Sequence, residues 1–318
     1  MKPYASISLD LDNKWSYMKT HGDIGWKKFP SYLETFIPYI LNILDQLNLK
    51  ITFFVVGQDA SLERNKDVLR LLTERGHEIG NHTFHHEPWL HLYTKDQIKK
   101  EILEAEEQIF KVTGQKTIGF RGPGFSWNSV LLEVLAEYGY IYDASTLPTY
   151  IGPLARAYYF WKSNLTEEEK NQRKRLYSSF KDGMRPVKPY QWQLTSGATL
   201  LEIPVTTVPI IKTPFHLSYL LYLSQFSTSL MFLYLKTALT LCRITQTEPS
   251  FLLHPLDFLD SKQVPELDFF PGMGLSANRK MELFNKVIKT LSQHFNLVNM
   301  STYAQLVLKR LKIKTYSP

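Results

Sequence analysis

The chain has 318 residues, 44% of them hydrophobic, enough for one large core or two modest ones. A single cysteine, Cys242, excludes an intrachain disulfide framework and a cysteine-rich metal site. The formal charge of +7 favours anionic partners in general without choosing between phosphate, nucleic acid and membrane.

Tyr4 to Asp10 reads as a short buried strand. Met1 to Ser6 runs straight into it, with no charged segment followed by a long apolar run, so no secretory signal is visible and the cytoplasm is the expected compartment. Side chains alternate along an extended chain, which puts Asp10 and Asp12 on one side and Leu11 on the other. Two such carboxylates repel unless a cation or a proton lies between them. A plain turn is the alternative use of Asp and Asn here, but it does not require the alternation. Trp15 to Pro30 mixes aromatic and basic residues with Gly22 and Gly25 and shows no period, so an ordered loop over the strand end is expected. A helix from Ser31 to Leu47 follows, with Phe36, Ile40, Leu44 and Leu47 on one stripe. Then come a strand over Ile51–Val56, a helix over Leu62–Arg75 stopped by Gly76, and a strand over His77–Gly80.

That strand delivers His82, His85 and His86. His82 and His86 are four apart, so one helical turn would bring both imidazoles onto one face. Neutral imidazole is a common metal ligand, and two of them with a carboxylate leave a position open on zinc. Thr83 stands where a metalloprotease helix carries Glu, so a base must come from elsewhere. A surface turn with incidental histidines is the alternative.

The helix predicted over Thr94–Val112 places Lys99, Lys100, Glu101 and Glu104 on its wet face. A strand over Thr117–Phe120 leads into Arg121-Gly122-Pro123-Gly124. A helix over Ser126–Tyr138 ends at Gly139, and a strand over Tyr140–Tyr142 ends at Asp143. Strand, polar residues, helix, repeated, argues for an α/β fold with a parallel sheet. Asp10, Asp12, His82, His86, Arg121 and Asp143 would all fall at the C-terminal strand ends, the rim where closed α/β barrels build their chemistry.

From Tyr150 the rhythm breaks. Tyr158-Tyr159-Phe160-Trp161 is followed by Thr166 and Glu169 in a capping-box pattern, then by Arg173, Lys174 and Arg175. This predicts an insertion, about 150–195, with a short exposed helix. Its aromatic and basic blocks suit a membrane interface or phosphate contact, and equally a solvated excursion. Leu200–Val205 reads as a strand with Glu202 as its one charge. Thr213 to Leu235 carries no formal charge and is long enough for a membrane span, but Ser224 to Ser229 is too polar for one. Two helices explain it better, Phe215–Leu223 and Ser229–Arg243, an apolar hairpin at about 213–243. The hairpin either packs on the sheet or dips into a bilayer surface through Tyr219, Tyr222, Phe232 and Tyr234. Cys242 within it reads as a buried, inert thiol. Ser250–His254 is a strand whose polar residue comes last, and the stretch to Gly274 is loop. Helices over Asn278–His294 and Thr302–Leu311 close the chain, with a short strand at Leu297–Val298 between them. No repeat, Gly-rich phosphate loop or nucleic-acid module is visible, and residues 1–318 read as one domain.

Asp10-Leu11-Asp12, His82-x-x-x-His86, Arg121-x-Pro123, Asp143 and Leu252-Leu253-His254 stand in the order of the five motifs of the polysaccharide deacetylases (NodB-homology, carbohydrate esterase family 4). The chain resembles that family over roughly residues 4–145 and 200–310. The resemblance implies a distorted (β/α)7 barrel and one divalent metal, most often zinc, on Asp12, His82 and His86. It implies Asp10 as general base, Arg121 holding Asp10 ionised, and His254 as general acid, oriented and kept protonated by Asp143. Gly124, beside Pro123, falls where the family supplies a backbone N–H to the oxyanion. The family's first motif has adjacent aspartates followed by Gly, whereas here Leu11 intervenes and Asn13 follows. That spacing resembles an intracellular branch that includes some peptidoglycan deacetylases and the deformylase of lipid-linked aminoarabinose, so the roles of Asp10 and Asp12 could be exchanged. Pro88 lies one place later than the family's His-Pro, and His85 and His91 have no family role and read as supporting or surface residues.

The expected activity is removal of an N-acetyl or N-formyl group from an amino sugar. The missing signal, the basic stretch Lys170–Lys188 and the apolar hairpin suggest a lipid-linked or cell-envelope glycan met at the inner face of the cytoplasmic membrane, with peripheral contact to anionic lipid and no nucleic acid. Two other readings stand beside it. One is an amidohydrolase of the same superfamily cleaving a small cyclic imide or ureide; the other is a non-catalytic glycan- or membrane-binding relative.

Overall fold

The strand that organises the fold is Tyr4–Asp10 (β1), buried on both faces from Ala5 to Asp10. Such burial is what a central parallel strand requires. The computed structural model describes residues 2–152, 154, 157, 165–172 and 180–318. Among these, β1 is followed by Thr52–Val55 (β2), Glu78–Asn81 (β3), Gly119–Phe120 (β4), Tyr142–Asp143 (β5), Tyr190–Gln193 (β6), Thr199–Glu202 (β7), Ser250–Leu253 (β8), Asn296–Val298 (β9) and Thr315–Tyr316 (β10). They form one sheet in the order β10-β6-β7-β5-β4-β3-β2-β1-β8, with β9 also on β1. The run from β7 through β1 to β8 is parallel, and β6 joins β7 antiparallel.

The expected α/β architecture with a parallel sheet is therefore present. The ladder does not continue between β7 and β8. Instead Thr206, beyond β7, donates its N–H to the carbonyl of Ser250 at 3.1 Å and accepts the Ser250 N–H on its hydroxyl at 2.7 Å. Those two bonds link the ends of the parallel run. Gly80 in β3 has a packing reason: a Cβ there would lie 2.4 Å from the Phe54 ring.

Helices cover the sheet. Lys14–His21 (α1), Leu33–Gln46 (α2), Gly57–Ser61 (α3), Lys66–Glu74 (α4), Lys95–Thr113 (α5) and Ser129–Glu137 (α6) precede the insertion, and Glu167–Gln172 (α7) lies within it. Leu217–Ser224 (α8), Thr228–Ile244 (α9), Ala277–His294 (α10) and Met300–Leu308 (α11) follow. Ile7, Leu9, Phe36, Ile40, Phe53 and Val55 share one core with Leu220, Met231, Leu235, Leu239 and Cys242 of the hairpin. Each such side chain contributes about 1.5–3 kcal/mol by leaving water. The hairpin thus packs on the sheet through one face, while Phe226, Leu230 and Leu233 stay exposed on the other. No described helix is long and apolar enough to cross a membrane.

Several expectations are corrected. Trp15 to Pro30 is not a loop: α1 is capped by the Asn13 side chain on the Lys14 N–H and closed by Gly22 in the left-handed region, with a 3₁₀ turn at Ile24–Lys28 after it. It shows no period because it is packed on more than one side, burying Trp15, Ser16, Tyr17 and His21, with His21 stacked on Phe269. The helix expected from Leu62 starts at Lys66, after a 3₁₀ turn at Glu63–Asn65. The insertion contributes β6, a strand not foreseen. Tyr158 to Trp161 and Arg173 to Arg175 lie outside the described residues.

Candidate active site

Asp10 ends β1, and Leu11 extends it by one bond, its N–H donating to the Phe54 carbonyl at 2.9 Å. Alternation then does what the spacing requires: Leu11 enters the core, while Asp10 and Asp12 line one pocket. Arg121, one residue past β4 and fully buried, donates from Nη1 to Asp10 Oδ1 at 2.6 Å and to Ser8 Oγ at 2.8 Å. Its Nε donates to the Ala144 carbonyl at 3.1 Å, and its guanidinium lies 4.3 Å from the Phe54 ring centre. Asp10 is thereby held on the pocket floor by a short, charge-assisted contact.

Asp12 faces the histidines. Its Oδ1 lies 2.9 Å from His86 Nε2 and 3.3 Å from His82 Nε2. The ring atom His82 Nδ1 is 2.6 Å from the Arg121 carbonyl and can only donate to it, which leaves the Nε2 lone pair toward Asp12. Burial alone would raise the Asp12 carboxyl, but His86 and His82 hold it well below the usual carboxylate range. Burial likewise opposes charge on His82, yet the Asp12 hydrogen bond and the field of Asp10 raise its pKa. The carboxylates thus favour positive charge at this point. The donor set fits a divalent cation: one carboxylate oxygen and two imidazole nitrogens lie within 4.8 Å of one another, three of the four positions of a tetrahedral zinc site.

His82 and His86 do not share a helical face. The segment after β3 is an irregular turn, with Thr83 at φ 63° and His86 at φ 52°. For a β-branched threonine that backbone costs on the order of 1–3 kcal/mol and persists only where surroundings dictate it. Asn81 Oδ1 accepts the Thr83 N–H at 2.9 Å, and Thr83 Oγ1 accepts the His86 N–H at 3.1 Å. Glu101 of α5 supplies the rest. Its Oε2 accepts the N–H groups of Phe84 at 3.0 Å and His85 at 2.9 Å, while Oε1 lies 2.6 Å from His85 Nδ1. The expectation of Glu101 on a wet face is wrong, since the residue is 5% exposed. Its place three residues after Ile98 and four before Ala105, both buried, was the available signal. His85 therefore supports the turn, and His91 bonds Ser126.

Asn13 extends this support. Its Nδ2 donates to Asp59 Oδ1 at 2.7 Å, where Trp15 Nε1 also donates at 2.9 Å. Burial pushes the Asp59 carboxyl up to about 7, against those two donors. The Tyr32 hydroxyl donates to the Asp12 carbonyl. His254, directly after β8, brings Nε2 to 4.0 Å from Asp10 Oδ2. Gly124, at φ 59°, lines the pocket, and Pro123 before it is buried.

Asp143 does not orient His254. Its Oδ1 accepts the Ser145 hydroxyl at 2.5 Å, and its neighbour is Glu202, its register partner on β7. The Asp143 side chain is fully buried and absent from the pocket lining, and none of its hydrogen bonds among the described residues goes to His254. The pocket itself has a volume of about 370 Å³. Asp10, Asp12, His82, His86 and His254 form its polar end, and Tyr17, Phe125, Leu147, Tyr219, Tyr222 and Phe269 its apolar walls. Tyr219 and Tyr222 come from the hairpin.

Comparison with known proteins places part of the chain beside one family. The polysaccharide deacetylase family profile matches residues 22–142, which include both histidines, Arg121 and Gly124. The peptidoglycan-N-acetylmuramic acid deacetylase of Bacillus subtilis is 32% identical over 110 residues, 34% of this chain and 41% of that protein. The peptidoglycan deacetylase of Helicobacter pylori is 27% identical over 114 residues, 36% of this chain and 38% of that one. The chain therefore spans about two fifths of the length of these relatives. A candidate polysaccharide deacetylase from Mycobacterium smegmatis superposes with a TM-score of 0.58 at 19% identity, covering 100% of this chain and 99% of that one, a likeness of fold.

Proposed function

We propose, from the premise that this chain carries a polysaccharide deacetylase domain, that it is a metal-dependent hydrolase removing an N-acetyl or N-formyl group from an amino sugar. The observation that carries the reading is convergence. Asp12, His82 and His86 meet at one point of a pocket that also holds the Arg121-paired Asp10 and His254. Asp12, His82 and His86 would hold one divalent cation, with zinc favoured by two imidazoles and a carboxylate. Such a cation supplies Lewis acidity to an amide carbonyl and acidity to water.

The chain's own residues do the rest. Asp10, held in place by Arg121 at 2.6 Å, accepts the proton of the attacking water. An amine cannot leave as an anion, so His254 donates a proton to it. The backbone N–H of Gly124 serves the developing oxyanion. The apolar walls given by Tyr219 and Tyr222, continued by exposed Phe226, support a lipid-linked or cell-envelope glycan met at the inner face of the cytoplasmic membrane.

Mass spectrometry of sugar-lipids and wall fragments with and without the protein tests the reading, through loss of an acetyl or formyl mass. Metal-loaded wild type and Asp10→Asn that are equally inert on a panel of N-acyl sugars overturn it.

A further inference from the structure

His254 opens the 3₁₀ turn Pro255–Asp257. Its Nδ1 lies 3.2 Å from the hydroxyl of Ser218, the second residue of α8. Asp257, whose Oδ2 accepts the backbone N–H of His254 at 2.8 Å, has its carboxylate form favoured by the nearby Ser218 hydroxyl. Asp257 is buried, and burial pushes its carboxyl up while His254, Ser218 and Lys280 act against that rise.

The proton count sets a direction. A hydroxyl has one proton to give, and an ionised carboxylate can only accept. With Asp257 ionised, Ser218 would give its proton to that carboxylate and accept the Nδ1–H of His254. That leaves Nε2 toward the pocket and Asp10, as a lone pair in the neutral ring and as an N–H in the imidazolium. The charged or titratable groups facing the ring are Asp10 from β1, His216 from the residue before α8 at 6.1 Å between ring centres, and Asp257 from its own turn. Burial pushes His216 down to about 3, so it is neutral and adds no competing charge near pH 7.

We propose that Ser218 and Asp257 are the positioning residues of His254, in the place the family resemblance implied for Asp143, so that the first turn of the hairpin belongs to the hydrolytic site. The functional part of this rests on the hydrolase reading; the geometry does not. A relay of this kind matters where the leaving group needs a proton. It matters little where the leaving group departs readily as an anion.

The test uses the full chain loaded with Zn²⁺, as wild type, Ser218→Ala, Ser218→Thr and Asp257→Asn, with two readouts. Imidazole ¹⁵N shifts of histidine-labelled protein, assigned with His254→Gln, report the His254 ring directly. Turnover is compared on an amide, the N-acetylglucosamine tetramer, and on an activated ester, p-nitrophenyl acetate. The expectation is displaced His254 nitrogen shifts in Ser218→Ala and Asp257→Asn, and recovery in Ser218→Thr. Amide kcat should fall about 10–100-fold with KM nearly constant, while ester turnover stays within about threefold. Unchanged His254 shifts in both variants overturn the proposal, and so do equal losses on amide and ester, which would mark a merely structural role. A wild type inert on both probes and on the panel of N-acyl sugars, with His254 shifts that still move, sinks the hydrolase reading and supports the relay.

Discussion

Asp143 and Glu202 face each other in register across β5 and β7, both fully buried. Glu202 accepts from Thr146 and from Trp192 Nε1, whereas Asp143 Oδ2 has no donor among the described residues. A proton shared between the two carboxyls satisfies it. Burial pushes Asp143 up to about 6 and Glu202 well above the usual range.

This pair predicts a pH signature. The folded chain holds a proton near pH 5 that the unfolded Asp, with its pKa of about 3.9, has released. The stability contributed is present below that value and lost as pH rises through about 6. Glu202→Gln can donate an amide N–H to Asp143 instead, so its stability relative to wild type should rise between pH 4 and 7 by on the order of 1–3 kcal/mol. Urea titrations across that window check it, and a flat difference refutes it.

Removing Arg121 strands a buried carboxylate at Asp10. Arg121→Met should cost about 3–5 kcal/mol of unfolding free energy. Adding Asp10→Asn should recover part of that loss, because the uncompensated charge is gone, without recovering activity. Denaturant midpoints of Arg121→Met, Asp10→Asn and the double variant test the non-additivity.

Glu101 holds the turn that carries the candidate ligands without touching them. Glu101→Gln keeps the side-chain shape but gives up the anion beside His85, and should weaken Zn²⁺ binding about 10–100-fold. Competition against a chelator reads this without any substrate. Zn²⁺ at a hundredfold excess over its dissociation constant should stabilise wild type by about 2.7 kcal/mol and His86→Ala hardly at all. An equal metal-induced rise in Tm in both proteins would exclude His86 as a ligand.

The outer face of the hairpin predicts lipid contact. Wild type should float with anionic liposomes, and a Phe226→Ser, Leu230→Ser, Leu233→Ser variant should stay at the bottom, its buried face and pocket residues being untouched. Identical sedimentation of both removes the membrane part of the proposal.

Much of the site was legible before folding, for local reasons. Strand alternation placed Asp10 and Asp12 together, and the strand–helix rhythm put His82, Arg121 and His254 at the same rim. The hairpin was legible from an uncharged stretch broken by Ser224 to Ser229. α1 was not, because a helix buried on several sides leaves no stripe to read.

What the amino-acid order determined alone was therefore the set of elements and the side of the sheet on which the reactive groups emerge. Which partner each group takes was decided by the tertiary structure: Glu202 for Asp143, Glu101 for the histidine turn, Ser218 for His254. A backbone period is repeated every few residues and can be seen along the chain. A hydrogen-bonding side chain, in contrast, accepts any donor of suitable geometry, and only packing brings one donor within reach.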